Sequence, residues 1–290
     1  MSATLSLLLS ETLVSFYPLL IKTTDVDILT QSMIRVLTFS FVSFFFMEKS
    51  LMEILKTPSY YLIGILNLFH IYSSYIGFQR LDIGVSLSIF YLYPIINVLI
   101  KESLSGKVNM RVIMVFLQSL LGVYLISRGM ESVGNITNIT NVKNNMNSYW
   151  IGVIAMLLAA VSESLIYSFY KKSNETNPFD MLFILSFFGS FIALVLWLWK
   201  NPLMERQNMS PLIAKIVFAN LFIGVIGHLL RFYSIPKIST EWFSILTFCE
   251  VIIGYLIGWF FLKEKMTKWH LIGTSIIAYS VYQIKSMGFA

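Results

Sequence analysis

Ser10-Glu11-Thr12-Leu13-Val14, followed by Ser15-Phe16-Tyr17, returns later in the chain as Ser162-Glu163-Ser164-Leu165-Ile166, followed by Ser168-Phe169-Tyr170. Each copy sets an acid in the middle of an apolar run. A helix crossing a bilayer needs about 20 mostly apolar residues, because every backbone amide in hydrocarbon must bond within its own segment. Working outward from the two copies, ten stretches qualify: 4–21, 28–47, 58–79, 82–100, 110–127, 149–170, 180–199, 211–235, 240–262 and 269–284. The two copies fall in the first and the sixth of them. The expected fold is therefore all-α and membrane-integral, with ten transmembrane helices in two related halves, 1–128 and 149–290, joined by an Asn-rich linker over 129–148. The ends of the halves also match, Gly122-Val-Tyr124-Leu-Ile126 against Ser280-Val-Tyr282-Gln-Ile284. Five is an odd number of crossings, so the second half is expected to run through the membrane in the opposite sense to the first. Inverted repeats of this kind place a substrate site near the midplane, between the halves.

Composition agrees. Of 290 residues, 57% are hydrophobic and 12% charged, with a mean hydropathy of +0.74, whereas soluble domains carry about a quarter charged residues. The net charge of +6 comes from basic residues scattered between apolar runs, not gathered on a stripe, so nucleic acid is not an expected partner. The 21 basic residues fall almost evenly on the two sides of the ten-span model, and their bias does not orient it. Sequons at Asn135, Asn138, Asn174 and Asn208 fall on both sides and carry no weight. Cys249 is the single cysteine, which rules out an intrachain disulfide and a multi-thiolate zinc site. No Lys or Arg precedes the first apolar run and Glu11 interrupts it, so that run reads as a retained span rather than a cleaved signal.

An ionised side chain at the bilayer centre costs roughly 2.5–3.5 kcal/mol on insertion scales, and persists where a partner, a cavity or a function offsets that cost. Glu11, Glu163 and Glu250 lie near the middles of their spans, Arg35 about a turn from the centre of the second, His70 near the centre of the third, and His228 and Arg231 share a face of the eighth at i, i+3. The functional expectation is that Glu11 and Glu163 approach one another across a pseudo-two-fold axis and, with Glu250, line a pathway for a cationic group or a coupling proton. Two close carboxylates raise each other's proton affinity. The plainer alternative is that each is protonated or paired with Arg35 or a hydroxyl and merely joins helices. Tyr72, Tyr75, Tyr91, Tyr93 and Tyr167 are candidates for a cavity wall, although at 16% aromatic residues most such rings must face lipid. Pro94, in mid-span, removes an amide donor and is expected to kink or hinge its helix. Gly254-x-x-x-Gly258 offers a small-residue contact face and, with Pro94, a place for rearrangement.

These features resemble the drug/metabolite transporter superfamily, in particular its EamA-like members, over essentially the whole chain. Trp259-Phe-Phe-Leu-Lys-Glu264 is similar to that family's W-L-F-L-G-E ending, Cys249-Glu250-Val251 to its L-E-P-V stretch, and Leu92-Tyr93-Pro94 to its L-Y-P, while Lys22 sits where the first span often ends in Lys. Val251 replaces the family proline, and either Glu102 or Lys107 takes the motif acid's place in the first half. The resemblance implies export or exchange of a small organic solute such as an amino acid, amine or related metabolite. Arg35, Arg231 and His70 together with the carboxylates suit a zwitterion; a nucleotide-sugar or phosphorylated-sugar exchanger is the alternative and would need a cationic cavity.

Other classes find no support in the residues. There is no His-Glu-x-x-His, Gly-x-Ser-x-Gly, Walker or Gly-x-Gly-x-x-Gly motif, so no enzyme, primary pump, metal or cofactor is expected. No filter loop suggests a channel, and the connections are too short for a scaffold's partner surface. Secondary transport by alternating access remains, in a plasma or inner membrane, by a monomer or homodimer.

Overall fold

A computed structural model describes residues 2–106, 109–134, 139–173, 177–200, 210–238, 243 and 246–286, and the described residues are helices and short turns with no strand. In chain order the helices are α1 (Ala3–Val14), α2 (Tyr17–Thr23), α3 (Ile28–Phe44), α4 (Leu51–Lys56), α5 (Pro58–Arg80), α6 (Ile83–Phe90), α7 (Tyr93–Ser105), α8 (Met110–Gly134), α9 (Ile139–Ser173), α10 (Pro178–Lys200), α11 (Ser210–Ala219), a π turn over Asn220–Val225, α12 (Ile226–Ser234), α13 (Cys249–Leu262) and α14 (Lys268–Ser286). Seven segments are long and apolar enough to cross a membrane: Ala3–Thr23, Pro58–Arg80, Ile83–Leu104, Met110–Gly129, Asn147–Phe169, Pro178–Lys200 and Pro211–Lys237. Of the three other expected spans, Ile28–Phe44 and Cys249–Leu262 are apolar helices of 17 and 14 residues, and Lys268–Ser286 is a 19-residue helix laid along α8. Helix enters the expected Asn-rich linker from both sides, α8 reaching Gly134 and α9 starting at Ile139. The four sequons and Lys107 lie outside the described residues.

Polar side chains are buried among an apolar core, and large apolar side chains cover the outside. Ser6, Ser10, Glu11, Arg35, Ser162, Ser164, Arg231 and Glu250 are buried, whereas Phe41, Leu117, Phe191, Trp199 and Phe260 stand exposed. An exterior this apolar faces lipid tails, and the chain is a multi-pass integral membrane protein in contact with the bilayer.

Two of the spans are broken, and proline explains both. α1 gives way to α2 at Ser15-Phe16 just ahead of Pro18, and α6 to α7 at Tyr91-Leu92 just ahead of Pro94. A proline at the second position of a helix has no N–H to continue the preceding turn and a ring that crowds it, so the chain restarts there. A third break, at Phe248 before α13, has no proline, since Val251 stands in its place; the Val251 N–H instead bonds back to the Phe248 carbonyl at 3.1 Å.

Two ends of the bundle are fixed by contacts. At one, Lys22 at the close of α2 pairs with Glu264 after α13 at 3.0 Å, and the other Glu264 oxygen accepts the Ile83 N–H opening α6 at 2.8 Å. At the other, Asp180 in the first turn of α10 accepts the N–H groups of Glu48 and Lys49, beyond α3, at 2.8 and 3.1 Å.

Candidate functional site

Between these ends, polar side chains from both halves of the chain meet in the buried interior. Glu11, fully buried on α1, receives both arms of the Arg231 guanidinium from α12, Nε to Oε1 at 3.0 Å and a terminal nitrogen to Oε2 at 2.9 Å. The fork geometry is the strong form of an Arg–carboxylate pair. Close approach of α1 and α12 makes it possible: the Ser10 hydroxyl donates to the Gly227 carbonyl at 2.8 Å, and a Cβ at Gly227 would stand 2.9 Å from Val14 Cγ2. The Tyr91 hydroxyl, at the break between α6 and α7, lies 3.1 Å from Glu11 Oε2 and 2.7 Å from Glu250 Oε2. Glu250 is also 3.8 Å from Arg231.

Hydrogen counting constrains this triad. A phenol carries one proton and can donate to one carboxylate; the second contact is favourable only if that carboxyl group supplies the hydrogen itself. Glu11 already accepts both hydrogens of the guanidinium fork. The arrangement that satisfies every contact therefore keeps a proton on Glu250, with Tyr91 donating to Glu11.

Arg35 on α3 occupies a different environment. It donates to His228 Nε2 at 3.2 Å and to the Tyr75 hydroxyl at 3.4 Å, and its guanidinium lies 4.3 Å from the Tyr17 ring centroid. No carboxylate approaches it within ion-pair distance among the described residues, and its Nε is buried without a hydrogen-bond partner. His228 Nδ1 faces the Gly224 carbonyl at 2.9 Å, an acceptor only, so Nδ1 carries the hydrogen and Nε2 is free to accept from Arg35. The π turn ahead of α12 presents Asn220, whose Oδ1 takes the Tyr17 hydroxyl at 2.8 Å.

A cavity of about 60 Å³ is lined by Arg35, Asn67, His70, Tyr93, Glu163, Tyr167, Arg231 and, on its apolar side, Ile166, Met181, Leu185, Phe232, Ile235 and Phe243. The last group reaches toward the Asp180 end of the bundle. Glu163 meets His70 Nδ1 at 3.8 Å, while that nitrogen lies closer, 3.1 Å, to the Ala159 carbonyl.

Residues 150–285 match the model of the EamA-like transporter family. Over that stretch, just under half of the chain, the sequence is similar to a family of the drug/metabolite transporter superfamily. That superfamily is one of membrane transporters. A solved structure described as "Crystal structure of protein" shares the fold, with a TM-score of 0.63 at 15% identity over 98% of each chain; no curated protein matches. Lys263, in the stretch compared above with the family's W-L-F-L-G-E ending, has a left-handed backbone of the kind a glycine takes, φ 59°, as does Gly106 at the end of α7, φ 69°. Glu102 accepts the Asn109 N–H at 2.9 Å just ahead of α8.

Most of the expected site residues converge, but not in the expected pairs. The carboxylate brought to Glu11 is Glu250, through Tyr91, and not Glu163, because Glu11 is oriented by Arg231 and Glu163 turns into the cavity beside His70. Tyr75, Tyr91 and Tyr93 are buried in the cluster, and Tyr167 stacks with Phe243 at 6.1 Å between centroids. Tyr72 is on the apolar outside face. Pro94 lies at a break as expected. Gly254 does not: its break falls earlier, at Phe248, and the glycine is packed against Leu87, where a Cβ would collide. Tyr17, Asn67, Asn220 and Phe243 carry no motif of their own; Tyr17 was visible only as the last letter of the repeated Ser-Phe-Tyr.

Proposed function

We propose that this protein is a secondary transporter of a small organic metabolite, working by alternating access with proton coupling, and that its ten spans form two inverted five-helix halves. The observation that carries the reading is the buried cluster in which the two halves share Glu11, Tyr91, Glu250 and Arg231, the last of which also lines the cavity. The pairing of helices supports the inverted repeat. Under a two-fold exchanging the halves, α3 and α10, α8 and α14, and α6 and α13 are partners, and each packs on its own counterpart, while the packing of α5 on α9 is mirrored by that of α1 on α12. Tyr91 and Phe248, at equivalent breaks, touch with centroids 5.7 Å apart, as residues beside a shared axis do.

Alternating access requires one end closed while the other admits solute. Lys22, Glu264 and the Ile83 amide close one end, while Met181, one residue from Asp180, lines the cavity toward the other, which favours reading this conformation as directed toward the Asp180 end. Breaks at Ser15-Phe16, Tyr91-Leu92 and Phe248 give three spans a point of flexure at the level of the cluster.

The coupling proton is assigned to Glu250. It leaves through Tyr91 toward Glu11, whose charge Arg231 holds; the expected Glu11–Glu163 carboxylate pair is thereby replaced by Glu11–Glu250. Reconstitution into proteoliposomes tests the reading. A pH gradient should drive uptake by the native protein, whereas Glu250→Gln should retain solute exchange at equal pH but lose gradient-driven accumulation. Gradient-driven uptake unchanged in Glu250→Gln would remove the proton assignment, and no exchange of any solute by folded native protein would remove the carrier reading.

A further inference from the structure

At the end of the bundle held by the Lys22–Glu264 pair, the segment after α13 folds back over its own helix and carries a lysine where the backbone favours glycine. The Glu264 N–H bonds to the Gly258 carbonyl at 3.1 Å, a link from the second residue past the helix into its last turn, and helices ending this way usually place a glycine at the left-handed position between. Here that residue is Lys263, the single non-glycine with positive φ among the described residues. A side chain in that conformation crowds its own backbone and costs stability, and the turn is closed by backbone alone. A side chain kept against such a cost points to function. Glu264, the next residue, pins the segment. One of its oxygens takes Lys22 at 3.0 Å and the other the Ile83 N–H at 2.8 Å, and it lies so close over Gly258 that a Cβ there would collide with the carboxylate.

The pinned segment borders a cleft of about 550 Å³ walled by Trp259, Phe260, Lys263, Glu264, Lys265 and Met266. Trp259 and Phe260, on the last turn of α13, are exposed on the apolar outside, and Lys263 and Lys265 are exposed just beyond the helix end. Neither lysine has a carboxylate within ion-pair distance among the described residues. Glu264, the one acid of the wall, is already engaged by Lys22 and the Ile83 amide. The cleft is thus cationic at its outer end and aromatic toward the hydrocarbon, with a tryptophan at the level where membrane proteins set them. We infer that it is a binding site for an anionic phospholipid, whose phosphate lies between the Lys263 and Lys265 ammonium groups and whose acyl chain runs along Trp259 and Phe260. Lysine–phosphate contacts are charge-assisted, and basic groups at a membrane surface select anionic headgroups. A zwitterionic lipid brings a second cation to a wall whose acid is already paired, and a soluble phosphate leaves the aromatic part of the wall uncovered.

The test is tryptophan quenching of the full-length protein in mixed detergent–lipid micelles, with phosphatidylglycerol or phosphatidylcholine brominated in the acyl chains. The native protein should prefer phosphatidylglycerol by about fivefold or more, the scale of one lysine's attraction to an anionic surface. Trp259→Phe should remove the excess quenching by phosphatidylglycerol, whereas Trp199→Phe, at an exposed tryptophan outside the cleft, should keep it. Lys263→Gly, which relieves the left-handed turn, and Lys265→Gln should each weaken the preference, and the two together should bring the lipids to parity; Lys200→Gln, at an exposed lysine elsewhere, should leave it intact. Equal quenching by the two lipids in native protein overturns the site, as does a preference that survives the Lys263→Gly/Lys265→Gln double variant. Displacement of the brominated phosphatidylglycerol by inorganic phosphate as effectively as by the unlabelled lipid overturns it too, since an anion alone would then suffice. Transport enters none of these readouts, so the lipid site and the carrier reading stand or fall separately.

Discussion

At the residue scale, the cluster is held by a few contacts whose removal is unequal. Taking away Arg231 strands Glu11 as a buried, uncompensated charge, and breaking a buried pair from one side costs about 3–5 kcal/mol. Arg231→Leu is therefore expected to lower the yield of folded protein sharply, and a double Arg231→Leu/Glu11→Leu variant to recover much of it, read by thermal unfolding in detergent. Tyr91→Phe removes one hydroxyl between two carboxyl groups and should cost about 1–3 kcal/mol while uncoupling proton movement from solute exchange. Lys263 presents the reverse case. Its left-handed backbone and exposed side chain predict that Lys263→Gly stabilises the protein by about 1 kcal/mol, seen as a higher melting temperature. The acids themselves were legible in the sequence, since a carboxylate in an apolar run stands out. Their partners were not: Glu11 and Arg231 lie 220 positions apart, and no local pattern links them.

At the element scale, the prolines at 18 and 94 write two helix breaks directly into the chain, whereas the break at Phe248 and the π turn at Asn220–Val225 have no such letter and emerge from packing. Gly227 sets the distance between α1 and α12. Gly227→Leu should push them apart, lengthen the Glu11–Arg231 contact and abolish transport as well as lowering stability, whereas Gly106→Ala, at a turn end with open space around it, should alter only the local left-handed turn. Measuring both variants by melting temperature and by exchange distinguishes contact from conformation.

At the scale of the whole molecule, the Lys22–Glu264 pair ties the last turn of the Ala3–Thr23 span to the connection after α13, and in the proposed cycle it seals that end. Burial pushes the Glu264 carboxyl up from its ordinary value and Lys22 opposes the shift; Asp82, beside it, is likewise raised by burial. A raised acid binds its proton more readily folded than unfolded, so its contribution to stability is most favourable at low pH and declines as pH climbs from the ordinary carboxylate value through the raised one. Glu264→Gln should flatten that part of the stability–pH curve. It should also weaken the seal, so that protein at high pH spends more time open at that end, measured as faster labelling of a cysteine placed there. The inverted halves have their own test: in a Cys249→Ser background, cysteines at Asp25 and Asn177 should react with impermeant reagent from opposite faces.

The amino-acid sequence by itself determined that this chain lives in lipid, that it is helical, which carboxylates lie at mid-span and that the fourth span must break at Pro94. Those follow from hydropathy, proline chemistry and the desolvation cost of charge, all of them local. Only the tertiary structure decided which charge answers which: that Arg231 takes Glu11, that Tyr91 bridges Glu11 to Glu250, and that Arg35 and Glu163 are left facing a cavity. Pairing depends on which helices touch and at what height, and small residues such as Gly227 and the break at Tyr91-Leu92 set that by letting backbones approach and side chains turn inward.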